Sequence, residues 1–178
     1  MYLVVLAIFA FSSIAVADET LLEPAKPIVR ELSGGQENTY RISLANDQYA
    51  SVIIEERGID VVLKLLGTHR NVIATFDNEY RSQGEEKIEM VSEAAGSYRL
   101  SVTASSLSAP AGQYQIRVAE IRSASANDRL LHEARKLEAE SRQALLDGKY
   151  KDALQLAERA LAIIENVLGT EHPFLEHC

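Results

Sequence analysis

Tryptophan is missing from this 178-residue chain, and cysteine occurs once, at the last position, Cys178. A lone terminal thiol excludes a disulfide within the chain and leaves no thiol nucleophile in its body. Without indole the usual stacking platform for sugar rings is gone, so Tyr49 and Tyr80 remain as aromatic surfaces only if they do not pack into a core or rim. Glycine and proline are sparse, at 9 and 4 residues, which argues against collagen-like or low-complexity tethers. Basic residues number 18 against 26 acidic, and the net charge of −8 offers no footprint for a phosphate backbone or an anionic bilayer. No nucleic-acid partner is expected. Also absent are a G-x-S-x-G elbow, a phosphate-cradling Walker loop, an H-E-x-x-H pair and zinc-type cysteine pairs. The expectation is a non-enzyme with no cofactor, no metal and no small-molecule substrate. What is present, 47% hydrophobic and 25% charged residues, suffices for a packed core.

The opening run, MYLVVLAIFAFSSIAVAD, carries no charged side chain before Asp18 and ends in Ala15-Val16-Ala17. Small residues at Ala15 and Ala17 fit the cleavage rule of a signal peptide, so residues 1–17 are read as one, cut after Ala17. The run is shorter than the roughly 20 apolar residues of a membrane span, and no lysine or arginine precedes it. A periplasmic or secreted location follows, with no stable span after cleavage; the alternative is an inner-membrane anchor formed by an uncleaved segment. Export without disulfides fits a bacterial periplasm.

From residue 22 to residue 121 the pattern alternates. The runs NTYRISL (38–44), GSYRLSV (96–102) and GQYQIRV (112–118) each place an aromatic, then an aliphatic, then an aliphatic at every second position. Tyr40, Ile42, Leu44, Tyr98, Leu100, Val102, Tyr114, Ile116 and Val118 should face the core; Arg41, Ser43, Arg99, Ser101, Gln115 and Arg117 should face water. KPIVREL, YASVIIEE, DVVLKLLG, NVIATF and EKIEMV fill out about eight strands with turn glycines between them, which predicts an all-β antiparallel sandwich. Val52-Ile53-Ile54 and Val61-Val62-Leu63 read as central strands covered on both faces. These runs, with the Asp60-Val-Val-Leu strand and the two Gly-x-Tyr strands, resemble the bacterial pre-peptidase C-terminal (PPC-like) domain, a small exported β-sandwich. The resemblance spans residues 22–121 and permits binding of extracellular polymers such as polysaccharide or matrix.

Two acidic features invite a ligand reading. Asp60 either offers a carboxylate to a metal or closes its turn onto nearby N–H groups, the latter being favoured. Asp77, Asn78, Glu79, Glu85 and Glu86 form an acidic loop without the oxygen spacing or turn glycine of a dedicated calcium loop, so a solvated loop is expected.

The apolar period lengthens after residues 122–129, read as a linker with Asn127 or Asp128 as helix cap. Leu130, Leu131, Ala134, Leu137, Ser141, Ala144 and Leu145 make a thin stripe on a first helix that Gly148 ends. A second helix over 150–168 carries too many apolar residues for a single neighbour and is expected to be packed on both sides. GKYKDALQLAERALAI resembles the tetratricopeptide repeat (TPR), and ALAIIENVLGTEHP resembles its longer kinesin light chain variety. Gly148 and Tyr150 fall at the inter-helix turn of that pattern, Ala153 and Ala160 at its small close-packing positions, and Ala157 where an aromatic is commoner. Leu161 continues the helix, and Leu168, Gly169, His172 and Pro173 match the closing segment. Glu140 and Ser141 depart from the pattern, as an atypical first repeat would.

The resemblance implies a TPR helix pair over 130–178, the start of a repeat array, with a protein or peptide ligand on its surface. Lys149, Lys151, Gln155 and Arg159 are candidates for a polar binding face against the plainer reading of solvated helix. His172, His177 and Cys178 lack the rigid scaffold and further ligands a metal or a protease pair needs. One TPR pair cannot bury its own faces, so the chain is expected to be the front of a longer protein, or else its second helix folds back on the sandwich or pairs with a second copy. The order signal peptide, PPC-like sandwich, TPR also resembles the N-terminal part of bacterial proteins ending in a CHAT domain, a caspase-like peptidase fold, with the catalytic part absent.

Overall fold

The computed structural model describes residues 19–76 and 84–169. The expected signal segment with Ala15 and Ala17, the loop residues Asp77, Asn78 and Glu79, Tyr80, and the terminal His172, Pro173, His177 and Cys178 lie outside the described residues.

Nine described strands form two sheets. The first holds β1 (Thr20–Leu21), β3 (Glu37–Leu44), β8 (Gly96–Ala104), β5 (Val61–Leu66) and β6 (Val72–Phe76), in that order. The second holds β2 (Ile28–Leu32), β9 (Gly112–Ser123), β4 (Gln48–Arg57) and β7 (Glu85–Val91). β1 runs parallel to β3, and the other pairs between these strands are antiparallel. The alternating stripes face inward as the sequence predicts: Tyr40, Ile42, Leu44, Tyr98, Leu100, Val102, Tyr114, Ile116 and Val118 all join one buried cluster between the sheets. Burial of each such aliphatic contributes about 1.5–3 kcal/mol. Tyr40 and Tyr114 meet edge to face across the sheets, their hydroxyls 2.5 Å apart, and Asn38 Nδ2 donates to Tyr114 Oη at 2.9 Å. Burial and that shared hydrogen bond push the Tyr40 phenol far above its ordinary pKa, so the pair stays neutral.

Several expectations shift. Ser101, expected in water, is buried on central strand β8, where its hydroxyl donates to Glu37 Oε1 at 2.5 Å. Ile53 and Val62 are only half-buried, so the second faces of β4 and β5 are not sealed. Asp60 does not close its turn with its side chain. Glu56 Oε1 accepts from the Val61 N–H at 2.7 Å, while Asp60 contributes its backbone carbonyl to the Ser105 N–H at 3.0 Å. Gly112 opens β9 where a Cβ would stand 2.4 Å from the Gly58 carbonyl oxygen, so glycine is required there by close approach.

The stretch 122–129 is mostly not linker. Arg122 and Ser123 finish β9, and α1 (Ala126–Leu146) starts three residues later. Its cap is Ser125, in a capping box with Asp128, rather than Asn127 or Asp128 itself. The sharp turn at Gly148 (φ +74°), with N–H groups of Gly148 and Lys149 returned to the Leu145 and Ala144 carbonyls, sends α2 (Tyr150–Leu168) back along α1. No described helix is long and apolar enough to cross a membrane.

Candidate interaction surface of the helical pair

The first half of α1 lies against β7 and β6, edge strands of the two sheets, and thereby covers edges that would otherwise offer unpaired backbone. Tyr49, Val91 and Ala124 make a small apolar cluster at this junction. Around it, charge fixes the angle of the helix. Arg135 donates to Glu89 Oε2 at 2.7 Å and to the Glu89 carbonyl at 3.2 Å, and Tyr49 Oη donates to Glu89 Oε1 at 2.6 Å. Burial raises the Glu89 pKa, but the hydrogen bonds from Lys87 and Tyr49 and the Arg135 charge outweigh it and hold the carboxyl below its usual value. Arg129 makes a forked pair with Asp47 at 2.7 and 2.5 Å, and Lys136 meets Glu93 at 2.5 Å. Arg122 lies 4.0 Å from the Tyr49 ring centroid and binds Asp128, whose pKa it depresses well below the carboxylate range.

His132, which the apolar pattern passed over, is the buried imidazole of the junction. It is 6% exposed, and its Nδ1 accepts from the Val91 N–H at 3.4 Å, so in the neutral ring the proton sits on Nε2. Burial, reinforced by the Arg135 and Lys136 charges against a smaller opposing effect of Glu93, pushes its pKa down to about 4. A cleft of about 550 Å³ beside it is walled by Asp47, Glu93, Arg129 and Lys136, but those charges are already paired with one another. No group of three or more metal-ligating side chains occurs among the described residues.

Beyond the junction, α1 and α2 pack by small residues. Ala134, Leu137, Ala160 and Ile164 form their shared core, and Ser141 Oγ donates to the Ala153 carbonyl at 2.8 Å. Ala153 and Ala160 therefore sit at the close contacts where the repeat pattern expects small residues, and Ser141, a departure from that pattern, fits as a hydrogen-bonding spacer. Leu145, placed on the buried stripe by periodicity, is half exposed instead.

The other flank of α2 is open. The excess of apolar residues predicts cover on both sides, and α1 covers one, because its own stripe is a single row. Tyr150 is 72% exposed, Leu154 60% and Leu161 39%, and Ala157 between them is exposed as well. These four follow a 4-3-4 spacing and fall on one line along the helix; beyond Leu161 the line runs into the core shared with α1, where Ile164 is buried and Leu168 packs against it. Lys149, Lys151, Gln155 and Arg159 are exposed on the polar remainder, as solvated helix surface. Gly169 caps α2 with φ +86°.

Residues 145–174 match the tetratricopeptide repeat family model. No curated protein matches the chain. Among solved structures, the pre-peptidase C-terminal domain of a collagenase from Bacillus anthracis is 17% identical, with 57% of this chain and 94% of that one covered at a TM-score of 0.47. A periplasmic inhibitor of g-type lysozyme, PliG of Aeromonas hydrophila, is 13% identical over 58% of this chain and 96% of its own, also at 0.47. A carbohydrate-binding module of Cellvibrio mixtus lichenase 5A is 9% identical over 55% and 91%, at 0.31. The chain is thus a β-sandwich followed by a TPR-like helical hairpin.

Proposed function

We propose that the chain is an exported, non-catalytic interaction module in which the sandwich holds a TPR-type hairpin at a fixed angle, and that a protein or peptide docks on the open flank of α2. The observation that carries this reading is the row Tyr150, Leu154, Ala157 and Leu161, exposed on a helix whose adjacent flank is closely packed. An apolar row of this length on an ordered helix is a docking feature, since leaving it in water forgoes its burial energy. The TPR match supports the same reading, and the uncharged run closing on Ala15-Val16-Ala17 supports export.

The test is a photo-crosslinking residue at position 154 of the full chain, activated in its native cell. A discrete adduct with a protein, lost when Leu161→Glu is added, is the expected result. No adduct, or one indifferent to Leu161→Glu, would overturn the reading.

A further inference from the structure

We propose that the occupant of the α2 flank is a second copy of the same helix, antiparallel to the first across a two-fold axis over Glu158. The proposal rests on the interaction reading above and adds the partner's identity. Its basis is charge complementarity. Lys151, Glu158 and Glu165 are all exposed and border the apolar row on its solvent side, one per heptad. An antiparallel pair of helices brings the same border positions of both copies together, so a two-fold axis over Glu158 sets Lys151 of each copy opposite Glu165 of the other. Both end contacts are then attractive. In a parallel pair that border would instead face the row's other border, where Ala153 and Ala160 are already covered by α1, and no such charge contact forms.

The apolar row agrees with this register. Leu154 meets Leu161 of the other copy, and the small Ala157 near the axis lets the two backbones come close. Such an interface is isologous and closes on itself as a dimer. It spans a helix only about 28 Å long, so the dimer is weak and exchanges with monomer. Glu158 facing its own copy is a cost built into the axis.

Sedimentation of the full chain over a concentration series reads the equilibrium directly. The wild type should show a reversible monomer–dimer equilibrium. Lys151→Glu alone, or Glu165→Lys alone, puts like charges at both symmetry-related contacts and should weaken it roughly tenfold. The double variant carrying both substitutions restores opposite charges and should recover wild-type affinity, while Glu158→Gln should tighten the dimer about twofold. Equal weakening in the single and double variants overturns the antiparallel register. A chain monomeric throughout, with crosslinks from position 154 only to other proteins, overturns the second copy but leaves the interaction reading standing; a monomer with no crosslinks removes both.

Discussion

Replacing His132 with asparagine takes a buried titrating ring out of the α1–β7 junction while keeping an acceptor near the Val91 N–H. The ring has a folded-state pKa near 4 against an ordinary 6.5. Because the folded value is depressed, the unfolded chain takes up its proton first as the pH drops. The stability tied to the neutral ring is whole above pH 6.5 and drains as the pH falls toward 4. With 1.36 kcal/mol for each unit of difference, the loss amounts to about 2 kcal/mol at pH 5 and about 3 kcal/mol once both states are protonated. The junction carboxylates Asp47, Glu93 and Asp128 also have lowered pKa values, by their arginine and lysine partners, so their contributions drain only at lower pH. The interval from pH 7 to 5 therefore belongs to His132. Urea unfolding of the wild type and His132→Asn at pH 7.5, 6 and 5 isolates it: the wild type should lose about 2 kcal/mol more than the variant over that range. Parallel losses in the two proteins would refute the buried, neutral ring.

Ser125→Ala removes the hydroxyl that accepts from the Asp128 N–H and should cost about 1 kcal/mol in unfolding free energy, with faster hydrogen exchange confined to the first turn of α1. Gly112→Ala forces a Cβ against the Gly58 carbonyl and should lower stability by more than about 2 kcal/mol, read as a fall in the urea midpoint at an unchanged slope.

The sequence made the sandwich interior legible because period two survives wherever one face is buried, and Tyr40, Ile42 and Leu44 repeat it without interruption. The bounds of α2 were legible for a similar reason, with Gly148 before it and Gly169 after. Features that do not alter hydrophobic rhythm stayed hidden. β1 is two residues long, too short to show alternation. His132 reads as a polar break in the α1 stripe, yet it is buried where its ring meets the Val91 N–H of β7, and which strands α1 would meet is a tertiary matter. Glu56 and Glu86 occupy inward positions of β4 and β7, buried where alternation alone places aliphatics. The excess apolar content of α2 pointed to its open flank, although only the path of α1 decided which residues remained uncovered.

The sharpest measurement compares Leu154→Glu with Ile164→Glu in thermal unfolding and in crosslinking from a photo-crosslinking residue at position 150. Ile164 lies in the α1–α2 core, so its replacement should cost about 3 kcal/mol or more, whereas Leu154→Glu should leave stability within about 0.5 kcal/mol and abolish the crosslinks. If Leu154→Glu destabilised the fold as Ile164→Glu does, or left the crosslinks intact, α2 would not have one flank for the fold and another for a partner.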